Sequence, residues 1–255
     1  MTKYSRRAAH HHPLDHQNAC YPLARHKRRG GEAGNILFMV LLAIVLIASL
    51  TAVISGTTGN NNSDIDNETL MIRASEVQRY ASELERGIGY IMQNGVSEED
   101  IRFSIPTNTT GPFLYEELAA DGDPSDQMFH PDGGAANYRD PPANIQTSTG
   151  GAWEFYGNTQ VPQAGSDRAE LLAVLPNVTL QFCEKINEIN AQTSAQPTDA
   201  GGDIHDIANR FKTGSTFDDA SPNTLTSASF TNLPPMQACV QSGTAYHFYH
   251  VLYAR

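Results

Sequence analysis

"RRGGEAGNILFMVLLAIVLIASLTAVIS", residues 28–55, decides how the rest of the chain is read. A basic pair, three glycines and one acid precede a long apolar run, and the chain then enters the polar stretch "GTTGNNNSD" at 56–64. From Ile36 to Ile54 nineteen residues carry no charge, and Ser49 and Thr51 are the only polar ones. As a helix they would reach about 28 Å, close to a bilayer core of about 30 Å. The expectation from these residues is a transmembrane helix over 35–55.

Charge sets its direction. Residues 1–30 hold seven Lys/Arg (Lys3, Arg6, Arg7, Arg25, Lys27, Arg28, Arg29) against Asp15, so the whole-chain net of −11 leaves −17 for residues 31–255. Basic residues just before a span favour its cytoplasmic side. The chain is therefore expected to be a single-pass inner-membrane protein with a cytoplasmic N-terminus and a periplasmic body. Three alternatives stand beside this reading: a buried core helix, a signal peptide cleaved near Gly56 to release a secreted soluble protein, and a solitary membrane-anchored binding module. An acidic body argues against nucleic acid as a partner, because duplex binding rests on neutralising phosphates with Lys and Arg.

Export suits the cysteines. Cys20 falls in the leader, while Cys183 and Cys239 are the pair beyond the apolar run, where an oxidising compartment would let them bond; the alternative is two buried thiols.

The remaining organisation follows local signals. Residues 1–34 read as a disordered basic leader, and its "HHHPLDH" tract lacks a fold to make the imidazoles converge on a metal. Residues 56–63 read as a Gly/Asn hinge. A second helix is expected over 64–95, with Ser63 and Asp66 at its start and Asn94-Gly95 at its end. Within it Leu70, Ala74, Val77, Ala81, Leu84, Ile88 and Ile91 recur at alternating steps of 4 and 3, an apolar stripe on one face. The stripe packs on its own domain or, in part, on copies of itself.

Residues 96–255 read as an α+β head. Strands are expected at 101–105, 152–157 and 244–253, and two short helical pieces between 161 and 190, broken at Pro176 with Cys183 on the second. The stretches 118–150, 192–203 and 213–235 are rich in Gly, Pro, Asp, Ser and Thr and read as loops. The fold class expected is thus α+β: an N-terminal transmembrane helix, a second amphipathic helix, then a small antiparallel-sheet head with long loops.

This order, with "GNILFMVLLAIVLIASLTAVIS" at 34–55, "CEKINEIN" at 183–190 and "YHFYHVLYAR" at 246–255, resembles type IV pilins and type II secretion pseudopilins. The resemblance implies a non-enzymatic pilin-like or pseudopilin-like subunit or accessory protein. Its partners would be the membrane, copies of itself or other pilin-like subunits, and a prepilin-type peptidase cutting after Gly31 or Gly34. A cut there places Ile36 or Met39 at the fifth mature position, where the family usually carries glutamate, which points to a minor, tip or accessory subunit or to an uncleaved anchored relative. Ala43, Ala48, Ser49 and Ala52 are the small residues available for close helix packing.

No cofactor is expected. "SDIDNE" at 63–68 and "DGDPSD" at 121–126 offer oxygens without EF-hand spacing. His247 and His250 fall on opposite faces of a strand, so they would not share a metal. With His130 and His205 they are the histidines of the head, and no nucleophile is recognisably paired with them.

Overall fold

The computed structural model describes residues 33–105, 122–192 and 195–255; inside the first helix, side chains are described for 37–49, 51 and from 66 onward. Helix α1 (Ala33–Gln93) is a 61-residue element. Two compact units divide within it, Met1–Thr58 and Gly59–Arg255.

This corrects the expected fold class. Among the described residues no helix is long and apolar enough to cross a membrane. The single-pass topology and the inner-membrane location with a periplasmic head fall with that helix. The two expected helices are one element, and its backbone is helical across 56–63, where a hinge was expected.

In the second unit the alternating stripe does the packing. Ala74, Val77, Ala81, Leu84, Ile88 and Ile91 are buried, Leu70 partly so, and they lie against Trp153, Phe155, Phe248 and Leu252. Polar residues fill the outer surface: Arg73 pairs with Glu76 at 3.1 Å, and Glu83 accepts from Arg139 at 2.8 Å. The helix stops where Gly95, at φ +92°, donates its N–H to Met92 O; the left-handed backbone there is cheap only for a residue without Cβ.

That stripe covers one face of a five-stranded sheet, ordered β3-β1-β2-β5-β4, whose strands are β1 (Glu154–Gln160), β2 (Glu170–Leu175), β3 (Asn223–Thr224), β4 (Gln237–Ser242) and β5 (Ala245–Tyr253). Three pairings are antiparallel, but β1 and β3 run parallel, so the sheet is mixed and not antiparallel throughout. The expected strand at 101–105 is reduced to one bridge, Arg102 to Gln127. The first expected helical piece is instead β2, buried at every position in the middle of the sheet. A run of six residues is too short for periodicity to separate a buried strand from a helix, and burial on both faces settles it.

Helix α2 (Leu180–Ile189) follows Pro176. Thr179 caps it, its Oγ1 accepting from Phe182 N at 3.3 Å. It turns Phe182, Cys183, Ile186 and Asn187 inward. Cys183 and Cys239 are joined by a disulfide, with Cα atoms 5.2 Å apart. One turn further, Asn187 Oδ1 accepts from Cys239 N and its Nδ2 donates to Cys239 O, both at 2.9 Å. The side-chain amide thus takes the place of a neighbouring strand and closes part of the β4 edge. Gln241 N donates to Pro197 O and Asp199 N to Gln241 O, which closes the next part.

The other sheet face carries Tyr156, Leu172, Val174, Ala238, Val240, Tyr249 and Val251. Its cover is irregular chain, with Val161, Ile204, Leu225 and Phe230 inserted into a second core. The sheet is therefore buried on both sides, by helices within and by loops without.

Candidate functional site

Two features stand out: a solvent-facing apolar helix surface and a buried carboxyl–histidine cluster. The first lies in the first unit. Ten large apolar side chains between Leu37 and Ile47 are exposed, from 45% at Leu42 to 66% at Leu37. Ser49 Oγ donates to Leu46 O at 2.8 Å, and Thr51 Oγ1 lies 2.9 Å from Ile47 O and Ala48 O. Both hydroxyls are folded back onto the helix, so the surface offered to a partner is almost wholly apolar. Ala43, Ala48 and Ser49 are exposed among these side chains. Gly34 lies in the helix, the Ala52 side chain is outside the described residues, and so are Gly31 and the whole leader. A contiguous apolar surface of this kind marks an interaction site.

The second feature sits between the sheet and its irregular cover. Glu154 and Tyr156, two apart on β1, point to the same face, and the Tyr156 hydroxyl donates to Glu154 Oε2. His205 reaches in from segment 199–206, its Nε2 3.0 Å from Glu154 Oε2 but not aligned for a hydrogen bond. The His205 ring stacks on His247 of β5 with centroids 5.0 Å apart. Glu154 is 1% and His247 3% exposed. Burial drives the His247 pKa down to about 4; His205 pushes in the same direction and Asp199 partly opposes them. Asn177, at φ +51°, donates its backbone N–H to His247 Nδ1 at 3.4 Å.

Segment 199–206 is tied down by polar contacts. Asp199 Oδ1 accepts from Asn223 Nδ2 at 2.9 Å and its Oδ2 from Ile204 N at 3.0 Å. Asn158 Nδ2 donates to Asp203 O at 3.0 Å.

The other sequence candidates are spread apart. His250 faces the inner side, 2.9 Å from Glu85 of α1, opposite to His247. Burial lowers its pKa, and the hydrogen bond with Glu85 counteracts this. Asp123 caps the short 3-10 turn at 124–126, accepting from Ser125 N and Oγ, which holds its carboxyl below the usual range. Among the described residues no group of three or more His, Cys, Asp or Glu is placed to hold a metal ion. Glu170, at the far end of the outer face, is fully buried; burial raises its pKa to about 7 against the opposing Val161 N–H and Arg255.

Sequence reasoning missed Glu154 and Asn187, and named His205 without a partner. The visible signal was an acid inside the aromatic run "WEFY" at 153–156, where a buried carboxyl needs partners. Those partners lie about fifty to ninety residues downstream.

Comparison with known proteins returns no match: no family model, no curated protein and no solved structure is similar to the chain.

Proposed function

We propose that this protein acts by assembly and not by catalysis, as a pilin-like subunit or accessory protein whose apolar α1 segment packs against the same segment of other copies. The observation that supports this is the run of ten exposed large apolar side chains from Leu37 to Ile47. They encircle the helix, so a bundle of like helices covers them better than a groove on one side. Burying half of that surface would contribute on the order of 10 kcal/mol before the cost of association is subtracted. The buried carboxyl–histidine cluster does not compete as a reaction centre, because Glu154 is 1% exposed and its neighbours are the chain's own side chains.

The test is site-directed crosslinking of the full chain. With Cys20 replaced by Ser, Val45→Cys is expected to give an oxidised dimer between copies, while a cysteine at the exposed head position Gln181 gives none. Equal or absent crosslinking at the two positions would remove the support.

A further inference from the structure

We propose that segment 199–206 is an acid-released latch, held on the outer sheet face by the Glu154–His205–His247 cluster and let go when the buried imidazole of His247 gains a proton. The geometry demands a neutral ring at this position. His247 Nδ1 faces the backbone N–H of Asn177 at 3.4 Å, and a protonated ring can only donate. The groups that face His247 are Asp199 and His205 from the latch and the Asn177 N–H from the turn before α2, with Glu154 of β1 on the far side of His205. Both Asp199 oxygens are engaged, by Asn223 and by the Ile204 N–H, and the Glu154 oxygen nearest the imidazoles accepts from the Tyr156 hydroxyl. A cationic His247 would therefore sit 3% exposed, face to face with a second imidazole. Charge at such a site is relieved by letting water in.

The latch is the side that yields. Strand β5 is laddered to β2 and to β4 along its length. The latch has no extended ladder: it is held by a single bridge from Asp199 to Leu225, the Asp199 N–H bond to Gln241 O, the Asn158 and Asn223 side-chain bonds, and the buried Ile204. Gly201, Gly202 and Asp203 between these ties are exposed. Segments with few buried contacts open at lower free energy than core strands. Opening withdraws Ile204 from the outer core it shares with Val240 and Tyr249, so acid would loosen a closed apolar face.

The experiment is hydrogen–deuterium exchange of the full, disulfide-bonded chain between pH 7.5 and pH 4, with rates corrected for intrinsic exchange. Protection of 199–206 is expected to fall on the order of 100-fold while β2 amides keep theirs. His247→Gln should remove that acid response, and His250→Gln should preserve it. Unchanged protection of 199–206 in the unsubstituted chain, or an equal fall in His247→Gln, would overturn the proposal. Should His247→Gln not fold, NMR titration of the unsubstituted chain decides: the His247 ring and the latch amides must titrate together, and a ring that titrates with the latch still closed is equally fatal.

Discussion

Helix α1 carries two apolar surfaces of opposite character. From Leu37 to Ile47 apolar side chains go round the whole helix and are exposed, whereas from Ala74 to Ile91 they follow one stripe and are buried. The stripe is accounted for by the sheet it covers: a 3–4 spacing gives one face to the core and leaves the rest to Arg, Glu and water. The encircling run has no such account among the described residues. An amphipathic pattern is a statement about the chain's own fold, and a run without a polar side is a statement about what lies beyond it.

Substitution should separate the two most sharply. Leu84→Asp places a charge in the inner core and is expected to cost more than about 4 kcal/mol, enough to prevent folding. Ile44→Asp, at an exposed position, should leave the head's urea midpoint within about 0.5 kcal/mol of the parent. Trp153 fluorescence reads both, since the ring is buried between Tyr80 and Phe248.

Reduction comes next. Opening the Cys183–Cys239 bond, which spans 56 residues, should lower head stability by about 4 kcal/mol. Denaturation with and without reductant measures this, and the Ile36–Ile54 run should be indifferent to it.

Acid acts most strongly through two opposing groups. His247, held neutral with a pKa of about 4, contributes stability that is full above its unfolded value and lost as pH falls from about 6.5 to 4, a total of about 3 kcal/mol. Glu170, raised to about 7, contributes stability that is full below its unfolded value and lost as pH rises from about 4.5 to 7, by a similar amount. Between them the parent's stability should change little across that window. Glu170→Gln should expose a loss on acidification, and His247→Gln a gain, in urea titrations at pH 7 and pH 5.

Asn187→Ala strips both bonds from the Cys239 peptide and should cost about 2–3 kcal/mol. The smallest effect belongs to the exposed Glu83–Arg139 pair, where Glu83→Gln should cost less than about 1 kcal/mol.

What was legible in the sequence was what repeats locally. The α1 stripe announced itself over seven positions, and "TAYHFYHVLY" carried enough β-formers to mark β5. The cysteine pair could be read because the apolar run separates it from Cys20. β2 was misread because "ELLAVL" is equally good as a short helix until both its faces are covered. β4, "QACVQS", has little to mark it without β5 beside it and Asn187 on its edge. The stretch 213–235 was read as loop, but it holds the two-residue β3 and a 3-10 turn, and the outer anchors Ile204, Leu225 and Phe230 are scattered singly and have no period to detect. The carboxyl–histidine cluster was illegible for the same reason: Glu154, His205 and His247 meet only once three distant segments are stacked. The apolar run misled in a different way, because length and lack of charge describe a membrane span and an assembly surface equally well.

The most direct test of the central claim is sedimentation equilibrium of the purified full chain over a micromolar concentration series, beside Ile44→Asp. The account predicts a mass well above the 27.8 kDa of one chain, falling to a single chain in the variant while the head stays folded. A parent chain that sediments at the monomer mass throughout, or a variant that associates as strongly as the parent, would contradict it.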